Sequence, residues 1–145
     1  MDKILALDLG TTTVGVAVGR PSDEFIFTRP VITFAKGNYR YARKEVLSLC
    51  EKEGITTIVL GYPLNVDGRE GERAKSVKRF KSDLLSECPN LEIILVDERY
   101  STLEAEERLK RLGYKHAKIK ELVDSEAAKI ILETYFARLK EKEND

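Results

Sequence analysis

The chain has 145 residues, a length typical of one domain, and its 42% hydrophobic content is enough to form a core, which excludes a disordered adaptor. Its 25 basic residues balance 25 acidic ones, so the net charge indicates no partner and the distribution of charge has to be considered instead. Cys50 and Cys88 lack CxxC spacing, support neither a zinc site nor a disulfide framework, and indicate reduced thiols.

The hydrophobic pattern predicts elements in the order βββαβαβαα. Three closely spaced apolar runs come first and indicate an antiparallel meander: 4–9, 14–18 and 25–34, the last interrupted by Pro30. Two further strands are predicted at 56–60 and 91–96. Helical spacing predicts helices at 39–53, at 71–85, from the capping box 101–104 to Gly113, and at 125–140.

This order predicts a single α/β domain at 1–140, followed by a charged tail at 141–145. Three hairpin-linked strands and two right-handed β-helix-β crossovers would form one mixed five-stranded sheet flanked by helices. If strand 1 lies centrally beside strand 4, then strands 1, 4 and 5 run parallel. Their carboxyl ends then share the edge at which α/β proteins bind ligands.

Carboxylates are predicted to gather at this edge. Asp8 ends strand 1, Asp97 and Glu98 follow strand 5, and Asp124 precedes the final helix, whose small alanines allow a close approach to the sheet. Clustered carboxylates repel one another unless a cation lies between them, and Mg²⁺ and Mn²⁺ prefer oxygen ligands. Two such ions, about 4 Å apart, support phosphodiester cleavage.

We therefore expect Asp8, Glu98 and Asp124 to bind metal. We favour Glu98 over Asp97 as the metal ligand, because only one of two neighbouring strand residues normally points into a site and because the glutamate side chain is longer. Asp97 would then pair with Arg99 or cap a turn. Each carboxylate also has a structural interpretation: Asp8 as a turn former, Asp97 and Glu98 as a solvated strand end, and Asp124 as a helix N-cap.

Basic residues are concentrated in two stretches, 69–81 and 108–120, beside these segments. Such bias next to an acidic metal site favours contacts with a phosphate backbone over an ordinary solvated face. His116 is expected on the surface rather than as a general base. The candidate nucleic-acid contacts are Asn65, Arg69, Arg73, Lys78, Arg79, Arg99, Thr102, Lys115 and Lys118.

From about residue 4 to residue 136 the chain resembles the YqgF family, which comprises RuvC-like relatives of Holliday junction resolvases and is linked to pre-16S rRNA processing. Four motifs in order carry the resemblance: 8–11 with 14–17, 61–71, 97–105, and 123–124 with 127–132. It implies an RNase H-like fold, nuclease activity, and Asp8, Asp97, Glu98 and Asp124 as candidate catalytic carboxylates. The chain departs from the family at Thr12, Thr13 and Tyr100, and at 114–121, where basic residues are sparser than usual.

The expected function is therefore endonucleolytic processing of the pre-16S rRNA 5′ end, with RNA as the first partner and branched or duplex DNA as the second. A junction resolvase, a non-catalytic RNA-binding assembly factor and an actin-like ATP-binding domain are the alternatives, the last suggested by the phosphate-loop-like run 8–13. Monomer and homodimer both stay open. With no signal-peptide pattern and no apolar run long enough to cross a bilayer, we expect a cytoplasmic protein without membrane contact.

Overall fold

The computed structural model describes residues 3–22, 25–65, 67–98 and 101–144. Within these ranges the strands are β1 (Ile4–Leu9), β2 (Thr13–Gly19), β3 (Ile26–Thr33), β4 (Thr57–Tyr62) and β5 (Glu92–Asp97). The helices are α1 (Tyr39–Glu53), α2 (Glu72–Glu87), α3 (Ser101–Arg111) and α4 (His116–Asn144). The predicted element order is confirmed, with most boundaries within two residues of the prediction.

The strands form one sheet in the order β3-β2-β1-β4-β5. β2 pairs antiparallel with both β1 and β3, whereas β1, β4 and β5 run parallel. The predicted mixed five-stranded sheet is confirmed, including the central position of β1 beside β4. The carboxyl ends of β1, β4 and β5 therefore share one edge, and the segments that carry Asp8 and Glu98 meet there.

Each face of the sheet has its own apolar core, because successive side chains of a strand point to opposite faces. The odd-numbered residues of β1 pack with α1 and α2, in a core that includes Val46 and Phe80. The even-numbered residues pack with α4, in a core that includes Ala128 and Ile131. Asp8 follows Ile4 and Ala6 in this alternation, which directs its side chain toward the α4 face.

Local signals explain where α1 begins and ends. The side chain of Asn38 accepts a hydrogen bond from the backbone N–H of Tyr41, and Gly54 ends the helix in the left-handed conformation at φ 67°. The buried side of α1 is formed by Ala42, Val46 and Cys50, whereas Tyr41 is exposed.

The final helix is longer than predicted. It begins at His116 rather than at Ser125, because residues 116–124 contain neither glycine nor proline and continue the helical run. Asp124 is thus inside α4, and its interpretation as an N-cap is wrong. At the other end, α4 extends to Asn144 through most of the segment expected to be a tail. No helix in the described ranges is long and apolar enough to cross a membrane.

Candidate active site

Asp8 lies one residue from the end of β1 and is 7% exposed. Its neighbour across the β1–β2 pairing is Gly15. A buried aspartate at a sheet edge is costly unless a hydrogen bond, a cation or a proton compensates its charge. The surroundings of Asp8 therefore decide what this residue can do.

Helix α4 approaches the sheet closely at Gly15. A Cβ atom added there would overlap the backbone carbonyl of Asp124, with the carbonyl carbon 2.6 Å away. The missing side chain thus brings the Asp124 backbone over the strand position beside Asp8. The charge of Asp124 is close enough to raise the pKa of Asp8, although burial has the largest effect on that pKa and also raises it.

The side chain of Asp124 is oriented by β2. The Thr13 hydroxyl donates a hydrogen bond of 3.0 Å to Asp124 Oδ2. Thr13 is the first residue of β2, so the strand that supplies Gly15 also holds this carboxylate. The Asp124 carboxylate therefore lies near Asp8, and one of its oxygens accepts a hydrogen bond from Thr13.

Glu98 lies one residue beyond β5 and is 8% exposed. Its backbone N–H donates to the carbonyl oxygen of Tyr62 at 3.2 Å, which extends the β4–β5 pairing by one hydrogen bond. The hydroxyl of Ser101 donates to Glu98 Oε2 at 2.8 Å and also lies 3.1 Å from the Glu98 carbonyl oxygen. Strand β5 and the start of α3 together hold Glu98 in place.

Gly61 provides the space that the Glu98 side chain occupies. A Cβ atom at Gly61 would lie 2.5 Å from Glu98 Cδ and 2.6 Å from Ile131 Cδ1. Real Cβ atoms do not approach other heavy atoms this closely, so any larger residue here would displace the carboxylate or α4. Gly61 is thus a structural requirement of the candidate site.

Asp8 and Glu98 interact directly. Burial, and after it the charge of Asp8, raise the pKa of Glu98 to about 8, against the opposing effects of the hydrogen bond from Ser101 and the charge of Arg73. Burial also raises the pKa of Asp8, opposed first by Arg73 and then by a hydrogen bond with Glu98. The two carboxyl groups therefore share protons and cationic neighbours as one acidic pair.

The donor atoms of this pair fit a hard divalent cation. Within the described ranges, Asp8 Oδ1 and Glu98 Oε1 are buried and have no hydrogen-bond partner. Mg²⁺ is commonly bound by one or two carboxylates, with water and substrate phosphate completing its coordination. No group of three or more His, Cys, Asp or Glu side chains in the described ranges has metal-binding geometry, so Asp124 as a third ligand stays a prediction.

Asp97 differs from its neighbour. It is exposed on the last residue of β5, whereas Glu98 is buried, as the alternation of strand side chains leads one to expect. Asp97 contributes with Glu98 and Glu104 to a cavity of about 320 Å³ between α3 and α4. Arg99, its predicted partner, lies outside the described residues.

A second cavity, of about 420 Å³, opens on the other side of Glu98. It is a groove between the β4–α2 loop and α3, and three predicted nucleic-acid contacts line it: Asn65, Arg73 and Thr102. The loop is held by hydrogen bonds from Asn65 N to the Arg69 carbonyl oxygen at 2.9 Å and from Gly68 N to the Asn65 carbonyl oxygen at 2.8 Å. The groove leads from the surface to Glu98.

The two basic stretches differ in their surroundings. Lys78 pairs with Glu70 at 2.6 Å, and Arg69 pairs with Asp67 at 3.6 Å, whereas Arg79 is exposed on α2 with no ion pair among the described residues. Arg108 begins the second stretch, but it pairs with acids of α3 and α4: Glu104, Glu126 and Glu133. Arg108 therefore joins the two helices and presents no free charge to a phosphate.

Lys115 and Lys118 are exposed near the start of α4. Because Asp124 lies over Gly15 and Leu132 packs near Gly19, α4 runs antiparallel to β1 and its first turns extend past the active-site edge. Lys118 is about 9 Å from Asp124 along the helix axis, at 1.5 Å per residue. Its ammonium group lies 3.4 Å from Glu121.

Several supporting residues were not identified from the sequence. Thr13 and Ser101 orient two carboxylates, and Gly15 and Gly61 provide the space for them. Glycine inside a strand is a signal for close approach of another part of the protein. Gly15 is inside the predicted strand 14–18, whereas Gly61 follows the predicted strand 56–60 and is inside β4 only in the structure. The hydroxyl contacts depend on long-range packing and carry no comparable signal.

The fold and the acidic pair define the class of protein: an RNase H-like domain with buried carboxylates at the ends of β1 and β5. Residues 2–138 match the RuvX family model, described as Holliday junction resolvase, and the chain belongs to this family. The resemblance to YqgF proteins is thereby confirmed, since RuvX and YqgF denote the same family.

Two named relatives are similar to this chain over most of their length. A protein of Maridesulfovibrio salexigens named "Putative pre-16S rRNA nuclease" is 39% identical over 136 residues, covering 94% of this chain and 98% of its own. A protein of the same name from Geobacillus thermodenitrificans is 38% identical over 138 residues, covering 92% and 96%.

Solved structures agree on the fold. RuvC of T. thermophilus, in complex with a Holliday junction substrate, superimposes with a TM-score of 0.60 at 16% identity and covers 96% of both chains. The fowlpox virus Holliday junction resolvase has a TM-score of 0.58 at 12% identity and covers 94% of this chain and 99% of its own. At these identities the similarity establishes the RNase H-like architecture alone.

Proposed function

We propose that this protein is a metal-dependent endonuclease that hydrolyses phosphodiester bonds of RNA during 5′-end processing of pre-16S rRNA, in the cytoplasm. Membership of the RuvX family and the names of relatives near 38% identity support nuclease activity and this substrate. The metal would be Mg²⁺ or Mn²⁺, because the available ligands are carboxylate oxygens.

The observation that carries this proposal is the meeting of Asp8 and Glu98 at the edge of the sheet. Their buried and unpaired oxygens, Oδ1 and Oε1, raise the cost of folding unless a ligand satisfies them. A purely structural carboxylate would be expected to find donors within the protein. Active sites are among the places where such a cost is accepted.

The proposed roles follow from these positions. Asp8 and Glu98 would hold the cation, and Ser101 and Thr13 would orient Glu98 and Asp124. The chemistry supplied by a bound divalent cation is activation of water and stabilisation of charge on the leaving oxygen. Asp124 would complete the coordination or orient the attacking water. Asp97, which is exposed, would have the smallest effect on cleavage.

Nucleic-acid contacts would follow the groove and its borders. Asn65, Arg73 and Thr102 line the groove that reaches Glu98, which makes them the best placed of the predicted contacts. Arg79 and Lys118 lie farther out, on α2 and on the projecting turns of α4. Phosphate contacts of this kind add affinity without sequence specificity.

The deciding experiment is cleavage of a pre-16S rRNA leader and of a four-way DNA junction, side by side, with Mg²⁺, Mn²⁺ or EDTA. We expect cleavage of the leader with either metal and none in EDTA. Asp8→Asn should abolish cleavage, and the matched variant Asp83→Asn, which lies in the C-terminal part of α2 and pairs with Arg43 of α1, should not. Undiminished cleavage in EDTA would contradict the metal-dependent mechanism.

A junction resolvase is the second candidate, since that is the description of the RuvX family. This activity favours a dimer, which places two active sites on one four-way junction. Cleavage of the junction in preference to the leader, by a protein that sediments as a dimer, would favour it. Leader binding without cleavage under any metal condition would instead favour a non-catalytic assembly factor.

A further inference from the structure

Arg73, on helix α2, makes a side-chain hydrogen bond to the backbone of strand β1. It is the second residue of α2, and its Nη2 donates a hydrogen bond of 2.9 Å to the carbonyl oxygen of Leu9, the last residue of β1. This contact holds the guanidinium at the end of the strand that carries Asp8. Arg73 also lines the groove that contains Glu98. One cation is thus held beside both members of the acidic pair.

The charge of Arg73 acts on both carboxylates, because its guanidinium is bound at the carbonyl oxygen of the residue after Asp8 and lines the same groove as Glu98. A guanidinium stays protonated at any working pH, so this positive charge is permanent. The guanidinium of Arg73 would repel a divalent cation bound to the same carboxylates. Arg73 therefore stabilises the pair when metal is absent and opposes the binding of metal.

We propose that Arg73 is the internal counter-cation of the Asp8–Glu98 pair: it stabilises the pair before metal binds and weakens the binding of the divalent cation. Only the effect of Arg73 on metal binding rests on the proposed metal-dependent function; its stabilisation of the metal-free pair does not. This role at the metal site is separate from the predicted contact of Arg73 with nucleic acid. Arg73 is exposed and lines the groove, so its positive charge is also accessible to a substrate phosphate once metal is bound.

The first test is calorimetric titration of the metal-free protein with MnCl₂, without nucleic acid. Arg73→Gln should lower the dissociation constant roughly three- to tenfold, because a repulsive charge is removed. Arg73→Lys keeps the charge and should resemble the wild type. Arg40→Gln is the matched control, since Arg40 is the exposed second residue of α1 and lines a cavity that includes neither Asp8 nor Glu98. Binding by Arg73→Gln no tighter than by Arg40→Gln would overturn the proposal.

The second test uses thermal unfolding in EDTA and does not depend on metal. Arg73→Gln should lower the midpoint by several degrees more than Arg40→Gln does, and this difference should disappear in an Asp8→Asn, Glu98→Gln background. A difference that persists there would mean that Arg73 acts through its hydrogen bond to Leu9, which would overturn the proposal. Absence of Mn²⁺ binding by every variant would contradict the proposed metal site, while this cycle would still decide the role of Arg73.

Discussion

The backbone of Asp124 passes directly over Gly15, the residue that pairs with Asp8 across the two central strands. The contact has no room for a Cβ atom, so the position of the third acidic residue depends on the absence of a side chain in β2. Adding a side chain at Gly15 therefore tests directly how α4 packs on the sheet.

Gly15→Ala should displace α4 from the sheet. Overpacking of this kind typically costs about 1–3 kcal/mol, and cleavage should fall further than the loss of stability explains, because Asp124 moves with the helix. Thermal midpoint and cleavage rate would be measured together. Gly113→Ala is the control: it has positive φ but open space around it, so it should lower stability while leaving cleavage intact. A Gly15→Ala protein with wild-type midpoint and rate would contradict the observed packing.

Gly61→Ala should act through Glu98. The added Cβ would lie 2.5 Å from Glu98 Cδ, so the carboxylate must move and cleavage should fall by at least about tenfold. In a Glu98→Gln background the same change should have little further effect on cleavage, since groups acting as a unit are non-additive. Independent, multiplying effects of the two substitutions would show that Gly61 does not act through Glu98.

Charge removal separates catalysis from folding at the carboxylates. Asp8→Asn and Glu98→Gln should lower turnover by orders of magnitude, with Asp124→Asn close behind and Asp97→Asn least affected. Stability without metal should hold or rise for the first two variants, because repulsion within the buried pair is relieved. Cleavage rates and thermal midpoints of all four variants decide the matter. Wild-type cleavage by both Asp8→Asn and Asp124→Asn would end the metal-nuclease assignment.

The acidic pair should also make stability depend on pH. The pKa of Glu98 is raised to about 8 in the folded protein from an ordinary value of 4.5, so the folded state keeps a proton that the unfolded state releases. Stability from this group is complete below about pH 4.5 and is lost as the pH rises toward 8. We expect thermal midpoints in EDTA to fall over this window, and Glu98→Gln to flatten the fall. A midpoint that rises through the window equally in both proteins would contradict the raised pKa.

Salt dependence should distinguish two neighbouring cations on α2. Arg79 has no ion pair among the described residues, whereas Lys78 is 2.6 Å from Glu70. Arg79→Ala should therefore reduce the slope of log affinity against log salt by about one, and Lys78→Ala by less. Filter binding of the leader RNA across a salt series gives these slopes, with exposed Lys52→Ala as the control. An unchanged slope for Arg79→Ala would make this part of α2 an ordinary solvated face.

Much of the fold was predictable because it depends on local patterns. Alternating and continuous apolar runs located the strands, and helical spacing located α1 and α2. The start of α4 was misplaced by nine residues: Asp124 was a possible N-cap before a helix at 125–140, but the backbone has no boundary there. Helix formers continue without a break from His116, and no local signal distinguishes a buried part of such a helix from a projecting one.

The sequence alone determined the RNase H-like sheet order, the family, and the edge at which Asp8 and Glu98 meet, because strand periodicity and right-handed crossovers leave few other topologies. Only the tertiary structure decided that Glu98 is buried and Asp97 exposed, that Asp124 lies over Gly15, and that Arg73 reaches Leu9. The last two relationships join residues 109 and 64 positions apart along the chain, and the first depends on the residue just beyond a strand. They arise from the packing of helices on the two faces of the sheet, which local patterns do not encode.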